Sequence, residues 1–178
     1  MRIIAGSRKG HRIEAPKGQV TRPTGDRVRE AAFNLIGPVD AASVLDLFAG
    51  SGAMGLEALS RGAAHAVFVE SDREACRVIE RNLEKLRLTQ ATVLCREALR
   101  ALAAEAAAAR RYDLVLVDPP YESFPSLQTS LATYLPAVLA DTGLLVVESP
   151  AQHEPELPLA LRTTRRYGSA RVTLFEHA

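Results

Sequence analysis

Val44-Leu45-Asp46-Leu47-Phe48-Ala49-Gly50-Ser51-Gly52-Ala53-Met54-Gly55 is the stretch whose reading decides the fold. An apolar, β-prone run enters a glycine turn, and the turn opens onto a segment with helical periodicity, Ala53–Arg61. Strand, tight turn and helix in that order bring backbone N–H groups and a helix N-terminus to the carboxyl edge of a parallel sheet. Gly50 and Gly52 permit the turn and let a ligand approach bare backbone. Gly50, Gly52 and Gly55 also satisfy G-x-G-x-x-G, so a nicotinamide cofactor has to be weighed. Asp46 argues against it. A carboxylate facing the mouth of the site repels a pyrophosphate but attracts a sulfonium or α-ammonium group. Asp46 serves equally as an acceptor for the turn's own N–H groups.

Outward from this unit the chain alternates strand and helix. Strands are expected at 44–48, 66–69, 91–95, 112–117 and 144–148. Helices are expected at 53–61, 72–86, 98–109 and 126–140. This rhythm implies an α/β fold, a doubly wound and mostly parallel sheet covered on both faces. It breaks at the end, where 161–166 and 171–175 flank Gly168-Ser169 as an antiparallel hairpin. Before the alternation, Val28, Ala31, Ala32, Leu35 and Ile36 mark a helix over 24–36 that Gly37-Pro38 stops. The first residues read as a small hairpin, Arg2-Ile3-Ile4 against His11-Arg12-Ile13, with a linker through Pro16 and Gly18.

The chain has 178 residues, 47% of them apolar and 24% charged, which suits one soluble domain with a short appendage. We divide it into a basic N-terminal hairpin over 1–20 and a body over 21–178. No apolar run approaches the roughly 18 residues of a membrane span, and the N-terminus lacks a signal-peptide core. Cys76 and Cys95 have no metal-ligand spacing and read as two buried thiols of a cytoplasmic protein. The net charge of +1 hides an asymmetry, with +6 on residues 1–29 and −5 on the rest. A basic arm on a mildly acidic body is a phosphate-binding footprint or simply a solvated terminus.

Two further acids follow strands. Glu70 lies 20 residues after Gly50, where a carboxylate accepts from both hydroxyls of a ribose. Glu97 follows the third strand, placed either for an adenine amino group or as the first residue of the next helix. The apolar run Leu114–Val117 then ends in Asp118-Pro119-Pro120-Tyr121. An exocyclic amine on a base is a poor nucleophile because its lone pair is delocalised into the ring. The Asp118 carboxylate and the Pro119 carbonyl can accept both amine hydrogens and aim that lone pair. The prolines set a rigid φ and supply no competing donor, and Tyr121 can stack on an extruded base. Alternatively, the prolines form only a turn and Asp118 caps a helix.

Together the glycine turn and this corner resemble an S-adenosylmethionine-dependent methyltransferase acting on a nucleobase amine. Over nearly the whole chain the sequence resembles the bacterial small-subunit ribosomal RNA guanine-N2 methyltransferase family of the RsmD type. The resemblance includes Arg2-Ile3-Ile4-Ala5-Gly6, the segment from Thr21-Arg22-Pro23-Thr24 to Asn34, Leu45–Gly52, Phe68-Val69-Glu70 and Tyr112–Tyr121. The segment with Arg22-Pro23-Thr24 makes the match narrow.

The resemblance implies a class I methyltransferase fold, S-adenosylmethionine as donor and a guanine N2 of 16S rRNA as acceptor. By matching positions, Asp46, Phe48, Gly50, Gly52, Glu70, Glu97 and Ala98 hold the cofactor, and Arg22 and Thr24 close over its methionine end. Asp118, Pro119 and Tyr121 hold the target base. The basic hairpin, with Arg2, Arg8, Lys9, Arg12 and Lys17, grips RNA in an assembling 30S subunit, and the protein is a monomer. Two positions depart from the pattern: Gly25 replaces a hydroxyl residue, and Arg96-Glu97-Ala98 stands where an Asp before Ala is usual. The alternatives are the same chemistry on adenine N6 in RNA or DNA, and a non-catalytic ribosome-assembly factor.

Overall fold

The computed structural model describes the backbone of residues 1–18 and 23–178, and the side chains of 1–18 and 25–178. Arg22 lies outside the described residues, as does the side chain of Thr24. The order of elements is α1 (Pro23–Ile36), β1 (Ser43–Leu47), α2 (Ala53–Ser60), β2 (His65–Glu70), α3 (Arg73–Leu86), β3 (Ala91–Cys95) and α4 (Ala98–Ala107). It continues with β4 (Tyr112–Val117), α5 (Phe124–Val138), β5 (Leu139–Pro150), β6 (Ala160–Tyr167) and β7 (Ala170–Glu176).

The seven strands form one sheet in the order β3-β2-β1-β4-β5-β7-β6. Its first five strands run parallel, and β7 pairs antiparallel with both β5 and β6. Strands buried on both faces need continuous apolar runs, as Leu114–Val117 and Leu144–Val147 provide. One core joins α1, α2 and α3 to one face through Phe33, Leu56 and Ile79. The other joins α4 and α5 to the opposite face through Leu102, Leu131 and Leu135. The chain builds outward from β1 to β3, then returns to lay β4 on the other side of β1. The crevice between β1 and β4 is therefore the topological switch point, where such sheets bind ligands.

The expected doubly wound sheet with its closing hairpin is present, with several shifted boundaries. The fourth strand-following helix starts at Phe124 rather than Ser126, because Pro125 in its first turn has a φ suited to helix initiation. Leu139 is extended, so the helix ends at Val138 and β5 runs for 12 residues, well beyond the expected 144–148. Phe48, expected in the first strand, has left the strand and takes φ 60° in the turn. Cys76 is buried but Cys95 is exposed, correcting the expectation of two buried thiols. Cys95 ends β3, the outermost strand on that side of the sheet, which leaves its side chain uncovered.

The N-terminal hairpin is reduced to one antiparallel bridge, Arg2 to Arg12, closed by a single 3-10 turn over Gly6–Arg8. It is fastened to the body. Ile3 and Ile13 are buried in the core of the α1–α3 face. The carboxylate of the fully buried Glu57 on α2 accepts from the N–H groups of Ile4 and Ala5 at 2.9 and 3.0 Å and from Arg61 Nε at 2.8 Å. A buried carboxylate is tolerated when donors surround it in this way.

Candidate active site

β1 delivers Asp46, 3% exposed, to the start of the glycine turn. Its Oδ2 accepts the Gly55 N–H at 2.9 Å, so the local role open to this acid is filled. Burial pushes its carboxyl up to about 7; the Gly55 bond opposes the shift and the Glu70 charge adds to it. Gly52 sits at φ 80°, a left-handed conformation that favours glycine. Gly55 has a different reason: a Cβ there would lie 2.3 Å from the Phe68 ring and 3.0 Å from the Asp46 carboxylate. Phe48 has a side chain at φ 60°. Such conformations cost about 1–3 kcal/mol and collect at functional sites.

Glu70, at the end of β2, spans two elements. Its Oε2 accepts from Gly50 N at 2.8 Å, and its Oε1 accepts from Asp72 N at 2.9 Å at the start of α3. Glu97 caps α4, accepting from Leu99 N and Arg100 N, both at 2.9 Å. Ala98 is buried beneath it.

The corner lies across the crevice. Register pairs Leu47 of β1 with Val117 of β4, and Val117 with Val147 of β5. Asp118 and Glu148 thus emerge side by side from adjacent parallel strands. They share a face with Asp46, because Val44, Leu116 and Val146, two residues before each acid, pack in one core. Asp118 is open to solvent at the mouth but crowded by protein on its other sides. Burial holds its carboxyl well above the usual range, and the charges of Glu148 and Asp46 raise it further. Burial also raises Glu148, against the pull of the Tyr121 hydroxyl, which donates to Glu148 Oε1 at 3.0 Å. Tyr121 is half-buried in the 3-10 turn Tyr121–Ser123, and Pro119 is buried between strand and turn.

Asp46, Gly50, Gly52, Glu70, Asp118, Pro119 and Tyr121 thus meet around the switch point, with Phe48 in the same turn. Glu97 and Ala98 stand farther out, beyond β3. The basic residues do not gather. Arg8 N donates to Ser60 Oγ at 3.0 Å, and its guanidinium donates to the carbonyls of Leu86 and Arg87. Ser60 and Leu86 end α2 and α3, so the turn holding Arg8 and Lys9 lies at the amino edge of the sheet. A six-residue strand, roughly 20 Å, separates it from the corner. Arg2 and Arg12 are exposed at the bridge. Lys17 follows a segment that climbs towards the mouth, where Glu14 and Ser51 both bond to Asn82.

Two features escaped sequence reasoning. Glu148 is one. The other is a run without acids, 157–175, that carries Arg162, Arg165, Arg166 and Arg171. Ser149 pairs with Arg171, and Arg171 with Arg166, which sets Arg165, Arg166 and Arg171 at the carboxyl edge beside the corner. Arg166 and Arg171 both donate to the Ala151 carbonyl, and Arg165 is exposed. Two cavities of about 430 and 420 Å³ lie at the amino edge, lined by residues such as Gly37, Arg61 and Asp113, away from the crevice. Among the described residues no helix is long and apolar enough to cross a membrane.

A seven-stranded, doubly wound sheet with a terminal antiparallel pair is the fold of S-adenosylmethionine-dependent methyltransferases. The solved structure of an S-adenosylmethionine-dependent methyltransferase from Agrobacterium tumefaciens shares it at a TM-score of 0.70 and 18% identity, covering 89% of this chain and 63% of that one. The chain belongs to the RsmD-type family: the family model described as "Conserved hypothetical protein 95" matches residues 1–176. Ribosomal RNA small subunit methyltransferase D of Escherichia coli is 40% identical over 154 residues, 86% of this chain and 76% of its own length. The solved structure of YhhF from Escherichia coli superposes with a TM-score of 0.88 at 37% identity, covering 99% of this chain and 97% of that one.

Proposed function

We propose that this protein transfers a methyl group from S-adenosylmethionine to the exocyclic N2 of a guanine in 16S rRNA. The observation that carries the reading is the row of three acids, Asp46, Asp118 and Glu148, on adjacent strands at the switch point. Such a set of acceptors fits a cationic, phosphate-free cofactor on the β1 side and an N–H-rich base edge on the β4 side. It disfavours a pyrophosphate. The name of the Escherichia coli relative supports the ribosomal substrate.

In this reading Asp46, Phe48, Gly50, Gly52 and Glu70 hold the cofactor, with Glu97 and Ala98 at its adenine end and Arg22 and Thr24 at its methionine end. The bound cofactor supplies a methyl group on a positive sulfonium. Asp118 and the Pro119 carbonyl accept the two N2 hydrogens, which turns the nitrogen lone pair towards that methyl. As the N–C bond forms, the C–S bond breaks with its electron pair on sulfur, and one N2 proton leaves by way of Asp118 or water. Positioning supplies most of the rate. Tyr121 covers the base.

The hairpin over 1–20 is an RNA-binding appendage on a catalytic body over 21–178. Lys17 with Arg165, Arg166 and Arg171 tracks the backbone near the target, while Arg2, Arg8, Lys9 and Arg12 reach RNA farther away. The acceptor is a base presented by an assembling 30S subunit, and the enzyme is a cytoplasmic monomer.

The test supplies labelled S-adenosylmethionine with naked 16S rRNA or methyl-deficient 30S subunits, followed by nucleoside analysis and sedimentation of the free enzyme. We expect N2-methylguanosine at one position, more from subunits than from naked RNA. N6-methyladenosine overturns the choice of base, and no incorporation into either acceptor overturns the reading.

A further inference from the structure

The methyl transfer described above counts Glu148 among the acids of the site but gives it no atom of the base to hold. Glu148 nevertheless stands beside Asp118, each acid one residue beyond the paired Val117 and Val147 of adjacent strands and on the same face. We propose that Glu148 determines specificity by accepting the N1–H of guanine while Asp118 accepts from the adjacent N2 amine. This deepens the functional reading just given and rests on it.

Three observations carry the inference. First, two neighbouring acceptors match the edge of guanine, where an N–H and an amine lie side by side. Adenine pairs its amine with an N1 that only accepts, so its lone pair would face the Glu148 carboxylate. A site that leaves buried polar groups unpaired rejects the wrong ligand strongly. Second, the Tyr121 hydroxyl donates to Oε1 at 3.0 Å and so holds the carboxylate in place, with Oε2 as the atom assigned to the N1–H. Tyr121 is thus a positioning residue for the carboxylate as well as a cover for the base. Third, no described Lys or Arg forms an ion pair with either acid, so a ligand that brings two donors relieves their mutual repulsion. The same bond aids the reaction, because a carboxylate drawing on N1–H leaves more electron density on N2.

The experiment uses 16S rRNA in 30S subunits with the target guanosine replaced by 2-aminopurine riboside. This analogue keeps the N2 amine but presents N1 as an acceptor. Wild-type enzyme should prefer guanosine by about 100-fold or more in kcat/KM. Glu148→Gln can offer either an amide oxygen or an N–H, and should reduce the preference to about 10-fold or less with cofactor affinity unchanged. Tyr121→Phe should lower the preference in the same direction by a smaller factor, and it keeps the inference testable if Glu148→Gln fails to fold. Equal use of both substrates by the wild type overturns the inference while leaving guanine-N2 transfer intact. So does a ratio that Glu148→Gln leaves unchanged. No transfer to guanosine by the wild type overturns the functional reading itself, and this inference with it.

Discussion

On the β1–β2 side of the crevice the acids are held by the chain's own backbone, whereas on the β4–β5 side they face one another. Glu70 and Asp46 accept the N–H groups of Gly50 and Gly55, and so fix the shape of the turn before any ligand arrives. The Tyr121 hydroxyl donates to Glu148, and burial raises both Asp118 and Glu148. The first arrangement is preorganised, and removing a member should disturb the turn itself. The second is completed by its substrate, and removing a member should spare the fold.

Gly55→Ala should break the β1 side most severely. The new Cβ would strike the Phe68 ring and the Asp46 carboxylate. Overpacking of this kind costs typically about 1–3 kcal/mol, or about 2–12 °C in Tm for a chain of this size. Calorimetry should show that loss, and titration calorimetry a cofactor affinity reduced at least about 100-fold. An alanine variant with native Tm and affinity would mean that the turn is not tightly built.

Asp46→Asn sharpens the same side through pH. The Asp46 carboxyl rises from an ordinary 3.8 to about 7 in the folded protein. The stability linked to its protonation is therefore fully present below about pH 4 and lost as pH rises through about 7. The neutral variant should be the more stable of the two at pH 8, with the gap closing towards pH 4. Wild-type cofactor affinity should rise through about pH 7 as the carboxylate forms, by about tenfold, and the variant should show no such rise. A pH-independent wild-type affinity would remove Asp46 from cofactor binding.

The smallest effect is expected at the two basic surfaces. Replacing Arg165 and Arg166 by Ala should weaken subunit binding several-fold and flatten its salt dependence by about two phosphate contacts. Replacing Arg8 and Lys9 should change the salt slope less and lower Tm, because Arg8 bonds the last carbonyls of α3. Binding titrations at several salt concentrations decide the order, and the reverse order would place the RNA at the amino edge.

The preorganised half was legible in the sequence because its logic is local. Strand, glycine turn and helix lie within 12 residues, and Glu70 closes the next strand at a spacing that topology dictates. The other half was half legible. Asp118-Pro119-Pro120-Tyr121 announces itself, but Glu148 follows 30 residues later at the end of an ordinary apolar strand. Only the lateral pairing of β4 with β5, a non-local fact, brings it to Asp118. The placement of Arg8 and Lys9 was hidden for the same reason, since charge counts do not say which edge of a sheet a turn is fastened to. Glu97 was read both as an adenine contact and as the start of a helix, and the helix cap is the part its bonds display. The boundaries of α5 shifted because Pro125 lies in its first turn, where the missing N–H is tolerated, and Pro136, which removes one intrahelical bond, lies just before its end.

The measurement that bears most directly on the contrast is the single-turnover methyl-transfer rate of Asp118→Ala, with cofactor affinity measured on the same preparation. The substrate-completed half predicts transfer reduced by about a thousandfold or more with cofactor affinity and Tm close to wild type. Transfer at the wild-type rate, or a loss that tracks weakened cofactor binding, would contradict the division between the two sides.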